Sequence, residues 1–419
     1  MPAEGAPGGY APGPDADIAV VGGVYREDCI RPSWHEIYGS AGRAASAMAA
    51  MNAPVVLHAY ADAVASGVLE QRAVFEGFKL SLTPIDQCVG FEYDHGLATP
   101  RVTGAEQSHA PLHVRWSKVV RFGLIEGDAV VHAEKAVYDP QSPGNPVPFG
   151  ANGSTATSLA LVLNAYEAMT LSGSARGTPA REVARKLIES QQAQVVVIKQ
   201  GPRGALIDDG TSVETVPAYR TTTVWKIGSG DNFVAHFAAR WLHEGRNAAE
   251  AADLASKATA YYCESRGFAT QAVLQADERQ SIHPSAQYLG GRLPTIYLAG
   301  PFFSLAQLWM VQQARHDLRS MGLTVFSPYH DVGHGSAEDV ASLDMQAIRQ
   351  CDLVFAIGDG MDSGTLFEVG YARSLGKPVV FYSESPEASR QKMLAGSDCD
   401  IVSDYVSAIY RAVWAACEL

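Results

Sequence analysis

From Asp17 onward, short apolar runs alternate with longer segments that carry helical periodicity. The runs predict buried strands and the longer segments predict amphipathic helices. Ile18–Val21 and Val55–His58 are the earliest strands, with the Ala-rich helix Ala41–Met51 between them. Val119–Leu124, Ala136–Tyr138, Leu161–Leu163 and Val195–Ile198 follow as strands. Gly204–Ile207 and Ser212–Val216 flank Asp208-Asp209-Gly210, which predicts a hairpin. Asp231–Glu244 and Ala248–Ser265 then read as consecutive helices.

A second series begins at Thr295. It predicts strand Ile296–Ala299, helix Ala306–Ser320, strand Thr324–Phe326, helix Ala337–Arg349, strand Leu353–Ile357, helix Thr365–Ser374, strand Val379–Tyr382 and helix Asp404–Ala416. Such alternation predicts an α/β protein with parallel sheets covered by helices on both faces. The two series do not resemble each other. The mixed stretch between them ends in Gly-Gly-Arg-Leu-Pro, so the expected division is a first domain over 17–270, a linker over 271–293 and a second domain over 294–419. The Pro-, Gly- and Ala-rich residues 1–16 read as a disordered tail.

At 419 residues, two domains are the natural expectation. An apolar content of 47% with 18% charged residues fits a globular enzyme. The net charge of −13 argues against a nucleic-acid polymer as partner, because phosphate backbones call for clustered Lys and Arg. Small nucleosides and nucleotides stay open. No apolar stretch reaches the length of a membrane span, and the N-terminus lacks the basic-then-apolar layout of a signal peptide. The six cysteines are scattered without a CxxC pair, which fits reduced thiols in a cytoplasmic protein. The twelve histidines show no metal-ligand spacing.

The most informative segment is Asp362-Ser363-Gly364-Thr365-Leu366-Phe367-Glu368, which follows the apolar run Leu353–Ile357. Ligands of open α/β sheets bind where strands hand over to helices. Glu368 is expected in the first helical turn, where the macrodipole favours an ionised carboxylate. An ionised carboxylate at a sugar-sized cleft is what a glycosyl-transferring nucleophile requires. Gly300 and Pro301, at the end of the strand Ile296–Ala299, shape a turn that brings backbone close to a ligand, and Phe302 and Phe303 offer flat surface for a base. Asp344 lies on the helix ahead of the central strand.

The run Tyr297-Leu298-Ala299-Gly300-Pro301-Phe302-Phe303, Asp344 ahead of Cys351-Asp352, the Asp362/Glu368 spacing, Gly370-Tyr371-Ala372 and Gly376-Lys377-Pro378-Val379-Val380 together resemble the nucleoside 2-deoxyribosyltransferase family and its N-glycosidase relatives. The resemblance implies a flavodoxin-like sheet, a nucleophile at Glu368, positioning roles for Tyr297, Asp344 and Asp362, and no cofactor. Asp344 and Asp362 both stay open as the group that protonates the leaving base. A fixed charge at Asp362 would repel a 5′-phosphate, which favours nucleosides over nucleotides.

In the first series, Gly228-Ser229-Gly230-Asp231 opens a helix, a ready anion nest with an adjacent proton acceptor. With Asn164 and Glu167, the run Val196–Gly204 and Gly39-Ser40-Ala41-Gly42, it resembles the ribokinase (PfkB) family of sugar and nucleoside kinases. That implies a ribokinase-like domain with Asp231 as catalytic base, Gly228, Ser229 and Gly230 as anion hole, Asn164 and Glu167 organising magnesium and phosphate, and ATP as cofactor. Two departures stand out. Trp225 and Lys226 replace the family's Asp-Thr, and Arg43-Ala44 stands where its sugar-gripping Asn would fall.

The expected function is cleavage or exchange of a nucleoside N-glycosidic bond by the second domain. For the first domain a kinase and a nucleotide-binding sensor that gates the second both stay open. Both resembled families self-associate, which implies a homo-oligomer with a small nucleoside or nucleotide as its ligand.

Overall fold

The computed structural model describes residues 17–141, 144–333, 335–385 and 391–419. The segment read as a tail lies outside them. The chain divides into two compact units, one made of residues through Tyr219 with Lys226–Gln280, the other of Arg220–Trp225 with Ser281–Leu419.

In the first unit, strands β1 (Ile18–Val21), β4 (Val55–Ala61), β5 (Lys79–Pro84), β8 (Leu112–Phe122), β9 (Ala129–Asp139), β10 (Thr155–Asn164), β11 (Val195–Lys199), β12 (Ala205–Asp208) and β13 (Val213–Val216) form one sheet. Its order is β13-β12-β11-β10-β9-β8-β1-β4-β5. The hairpin β12–β13 is antiparallel, as is its junction with β11, and the remaining pairs are parallel. Every residue of β1 is buried, which is why a continuous apolar run marks it. A small second sheet holds β2 (Arg26–Arg31), β3 (Trp34–Ile37), β6 (Gly90–His95) and β7 (Arg101–Thr103) in the order β3-β2-β6-β7. Its strands are polar and half exposed, and the apolar-run criterion passes over them. The helix expected from Asp231 begins at Ser229 and passes into a π-helical turn over Ala239–His243.

In the second unit, β14 (Thr295–Ala299), β15 (Thr324–Phe326), β16 (Leu353–Ile357), β17 (Val379–Tyr382) and β18 (Asp400–Val402) form an all-parallel sheet in the order β15-β14-β16-β17-β18. Within this unit that is the flavodoxin-like order 2-1-3-4-5, whose direction of winding reverses between β14 and β16. Residues 271–293 contain two short helices, Gln271–Gln275 and Ala286–Leu289.

Candidate active sites

The reversal point of the second sheet gathers the carboxylates that the sequence singles out. Tyr297 is fully buried on β14, stacked on Phe326 at a centroid distance of 5.7 Å. Its hydroxyl donates to Glu368 Oε1 at 2.7 Å. Asp362 caps the helix Ser363–Ser374, its Oδ2 accepting from the Thr365 N–H at 2.8 Å and from the Thr365 hydroxyl at 3.1 Å. This cap starts the helix two residues earlier than expected, so Glu368 is its sixth residue. The first-turn placement is therefore corrected, and with it the dipole argument for an ionised group, because the macrodipole acts over the first turn.

Burial decides the protonation of Glu368 instead. It pushes the carboxyl up to about 7, the Tyr297 hydroxyl pulls the other way, and the charges of Asp344 and Asp362 push it further up. No Lys or Arg among the described residues contributes to holding it ionised. Asp344, on the helix Ala337–Gln350, is also raised by burial, and its Oδ1 is buried with no hydrogen-bond partner among the described residues. An unpaired buried oxygen costs free energy unless something fills its place. Gly300 is closely packed, since a Cβ there would lie 3.1 Å from Cβ of Ile357. Phe302 packs on Phe303 and Tyr329, each at 5.3 Å, and Phe303 is 75% exposed.

In the first unit Gly228 takes φ +74° and a Cβ there would collide with the Arg43 guanidinium. Gly228 therefore meets two demands, a left-handed turn and close approach of a side chain. Ser229, Gly230 and Asp231 open the helix Ser229–Ala238. Lys226 Nζ donates to Ser229 Oγ at 2.8 Å, and burial lowers its ordinary pKa. Lys199 pairs with Asp139 at 2.7 Å; Asp139 and Glu167 outweigh burial and keep its ammonium charged. Two ammoniums beside a helix start suit an anionic group such as phosphate.

Asn164 and Glu167 are committed to a capping box. The Asn164 side chain accepts from the Glu167 N–H at 2.9 Å, and Glu167 Oε2 accepts from the Asn164 N–H at 2.7 Å. Among the described residues no group of three or more His, Cys, Asp or Glu side chains could hold a metal ion. Glu167 alone does not make a magnesium site, and no step is assigned to one.

Sequence reasoning passed over the partners of Asp231. Its Oδ2 accepts from Arg43 Nη1 at 2.8 Å, and its Oδ1 from Gln141 Nε2 at 2.5 Å. Arg43 also pairs with Glu27 through Nη1 and Nη2 and donates from Nε to the Tyr262 hydroxyl at 3.0 Å. The available signal was a lone Arg inside a helix, Gly39–Ala49, otherwise built of small and apolar residues. A charge in such a helix must be buried and paired.

Fold and sites together define a two-unit α/β protein with a carboxylate site in each unit. Residues 155–274 match the family model of the pfkB family carbohydrate kinases, and residues 296–398 match that of the nucleoside 2-deoxyribosyltransferases. The chain therefore carries, one after the other, a segment similar to each of these families. Similar solved structures include fructokinase from Vibrio cholerae O395 bound to fructose, ADP and calcium, at 15% identity, with 62% of this chain and 98% of that one covered and a TM-score of 0.47. Phosphofructokinase-2 from Escherichia coli in complex with fructose-6-phosphate is 14% identical, with 62% and 97% covered and a TM-score of 0.45. Ribokinase from Thermotoga maritima is 17% identical, with 62% and 98% covered and a TM-score of 0.42. Comparison with curated proteins gave no match. Among the described residues no helix is long and apolar enough to cross a membrane.

Proposed function

We propose that the second unit cleaves or exchanges the N-glycosidic bond of a free nucleoside, with Glu368 as nucleophile. The observation that carries this reading is a half-buried carboxyl pushed up to about 7 by desolvation, held by one neutral hydroxyl and by no cation among the described residues. An unpaired carboxylate of that kind is free to form a bond to carbon. In the first step a Glu368 oxygen bonds to the anomeric carbon as the carbon–nitrogen bond breaks. The electron pair leaves with the base, which takes a proton from Asp344. In the second step water or another base bonds to the same carbon, gives a proton to Asp344 and frees Glu368, with overall retention.

Asp344 suits the acid role because burial favours its protonated form. Asp362, which also stood open for that role, spends one oxygen on the helix cap. Its remaining charge beside Glu368 disfavours a 5′-phosphate, so the substrate is a nucleoside. Tyr297 orients the nucleophile.

Chromatography of free base released from deoxy- and ribonucleosides, with and without an added second base, tests the reading. Glu368→Gln is expected to lower release on the order of 10³-fold or more. Release that survives both Glu368→Gln and Glu368→Ala removes Glu368 from the reaction.

A further inference from the structure

The pfkB-type segment places a carboxylate in a pocket, yet both oxygens of Asp231 are already engaged by Arg43 and Gln141. Arg43 is fully buried, and its bonds to Glu27, Tyr262 and Asp231 tie together three separate segments of the unit. An Arg held in this way is not displaced by an arriving ligand, because freeing it would strand two buried carboxylates. For Oδ2 of Asp231 to meet a substrate hydroxyl, it would have to leave the Arg43 guanidinium. Gln141 differs. It sits just past the end of β9 and holds Asp231 by a single amide bond, which a ligand hydroxyl can replace.

The pocket that Asp231 faces has a volume of about 250 Å³. Its lining includes Tyr25, Phe91 and Tyr93, with Glu27, Gln141 and Asp231 supplying the polar side. Phe91 and Tyr93 form one wall, nearly parallel, 16° apart at 6.3 Å, and Tyr25 lies 5.2 Å from Phe91, tilted by 49°. Phe91 and Tyr93 come from β6 in the small sheet, so the wall is rigid backbone rather than loop. The near-parallel Phe91 and Tyr93 rings next to hydrogen-bonding carboxylate and amide groups match a ligand with a planar ring joined to a hydroxyl-bearing part. An open polyol would use the polar groups and waste the wall.

We propose that the first unit is a nucleoside receptor that binds without transferring phosphate. The base stacks on Phe91 and Tyr93, a ribose hydroxyl takes the place of the Gln141 amide on Asp231 Oδ1, and Arg43 keeps Oδ2 occupied. The pocket and its ligand are separate from the Glu368 site and its reaction.

The test uses the full chain with Glu368→Gln, so that nucleosides are not consumed. Equilibrium dialysis with labelled nucleosides, hexoses and pentoses counts bound ligand, and labelled ATP reports phosphoryl transfer to the same compounds. Two nucleosides per chain are expected, one of them weakened about tenfold or more by Phe91→Ala. Gln141→Arg, just past the end of β9, puts a bulky side chain into the same site and serves if Phe91→Ala does not fold. No transfer above the Asp231→Asn background is expected. One nucleoside per chain, lost in these variants, supports this pocket and counts against the nucleoside reading of the second unit. One per chain that persists in both variants overturns the proposal and leaves the Glu368 reading intact. Phosphoryl transfer that Asp231→Asn abolishes, or a hexose bound in preference to nucleosides at the site that Phe91→Ala removes, also overturns it.

Discussion

Glu368 is a half-buried acid in the middle of its helix and Asp231 a buried acid at the start of its own, and both occupy the place where a catalytic carboxylate is expected. Their partners set them apart. Glu368 has one hydroxyl for company and is pushed up to about 7 by burial. Asp231 has a guanidinium on one oxygen and an amide on the other. The first keeps one oxygen without a cation beside it, the arrangement the proposed nucleophile needs; the second has both oxygens engaged. Position in the fold therefore does not assign reactivity, and the groups that neutralise a carboxylate do.

The largest expected effect tests the satisfied side. Arg43→Met leaves Glu27 and Asp231 as buried acids without their cation, and unfolding in denaturant should show a loss of about 3–5 kcal/mol. Adding Glu27→Gln and Asp231→Asn to that variant should recover most of it. A loss within 1 kcal/mol (on the order of an exposed pair) would show that Arg43 does not clamp Asp231.

The unsatisfied side carries the opposite sign. Burial raises Glu368 above its unfolded value, so its contribution to stability is fully present at acid pH and is lost as pH rises through about 7. Glu368→Gln removes that loss. The variant should match the parent at pH 4 (roughly the unfolded carboxyl value) and exceed it by about 2 kcal/mol at pH 8 in the same unfolding measurement. Equal stability at both pH values would mean that the carboxyl is not held up.

Tyr297→Phe sharpens the comparison further, because the hydroxyl is the group that pulls the Glu368 pKa down. Base release by the parent should rise with pH through about 7 as Glu368 ionises. In the variant the rise should move to higher pH, with release at neutral pH about tenfold slower. The smallest effect separates capping from chemistry. Asn164 caps its helix as Asp362 caps the Glu368 helix, so Asn164→Ala should cost about 1 kcal/mol in thermal or chemical unfolding.

The second unit was largely legible from sequence. Its strands β14, β16 and β17 are buried almost throughout, and a strand buried on both faces writes itself as an unbroken apolar run. Tyr297, Asp344, Asp362 and Glu368 could be named because they sit in motifs at fixed spacing. Their energetics could not. The Tyr297–Glu368 bond joins residues 71 apart, and whether burial outweighs a helix dipole depends on where the cap falls. The small sheet of the first unit was invisible because Arg26-Glu27-Asp28-Cys29-Ile30-Arg31 has the composition of a loop. The Arg43–Asp231 pair spans 188 residues, and only the fold brings a helix at the start of the unit onto the anion nest near its end.

The central claim is that a Glu368 oxygen bonds to a sugar carbon during turnover. Rapid acid quench of the full chain with a slowly turned-over nucleoside, followed by mass spectrometry of its peptides, tests this directly. The account predicts a mass increase of one pentosyl group on the peptide containing Glu368, absent in Glu368→Gln. Full base release with every peptide unmodified, or a pentosyl group on another residue, would contradict it.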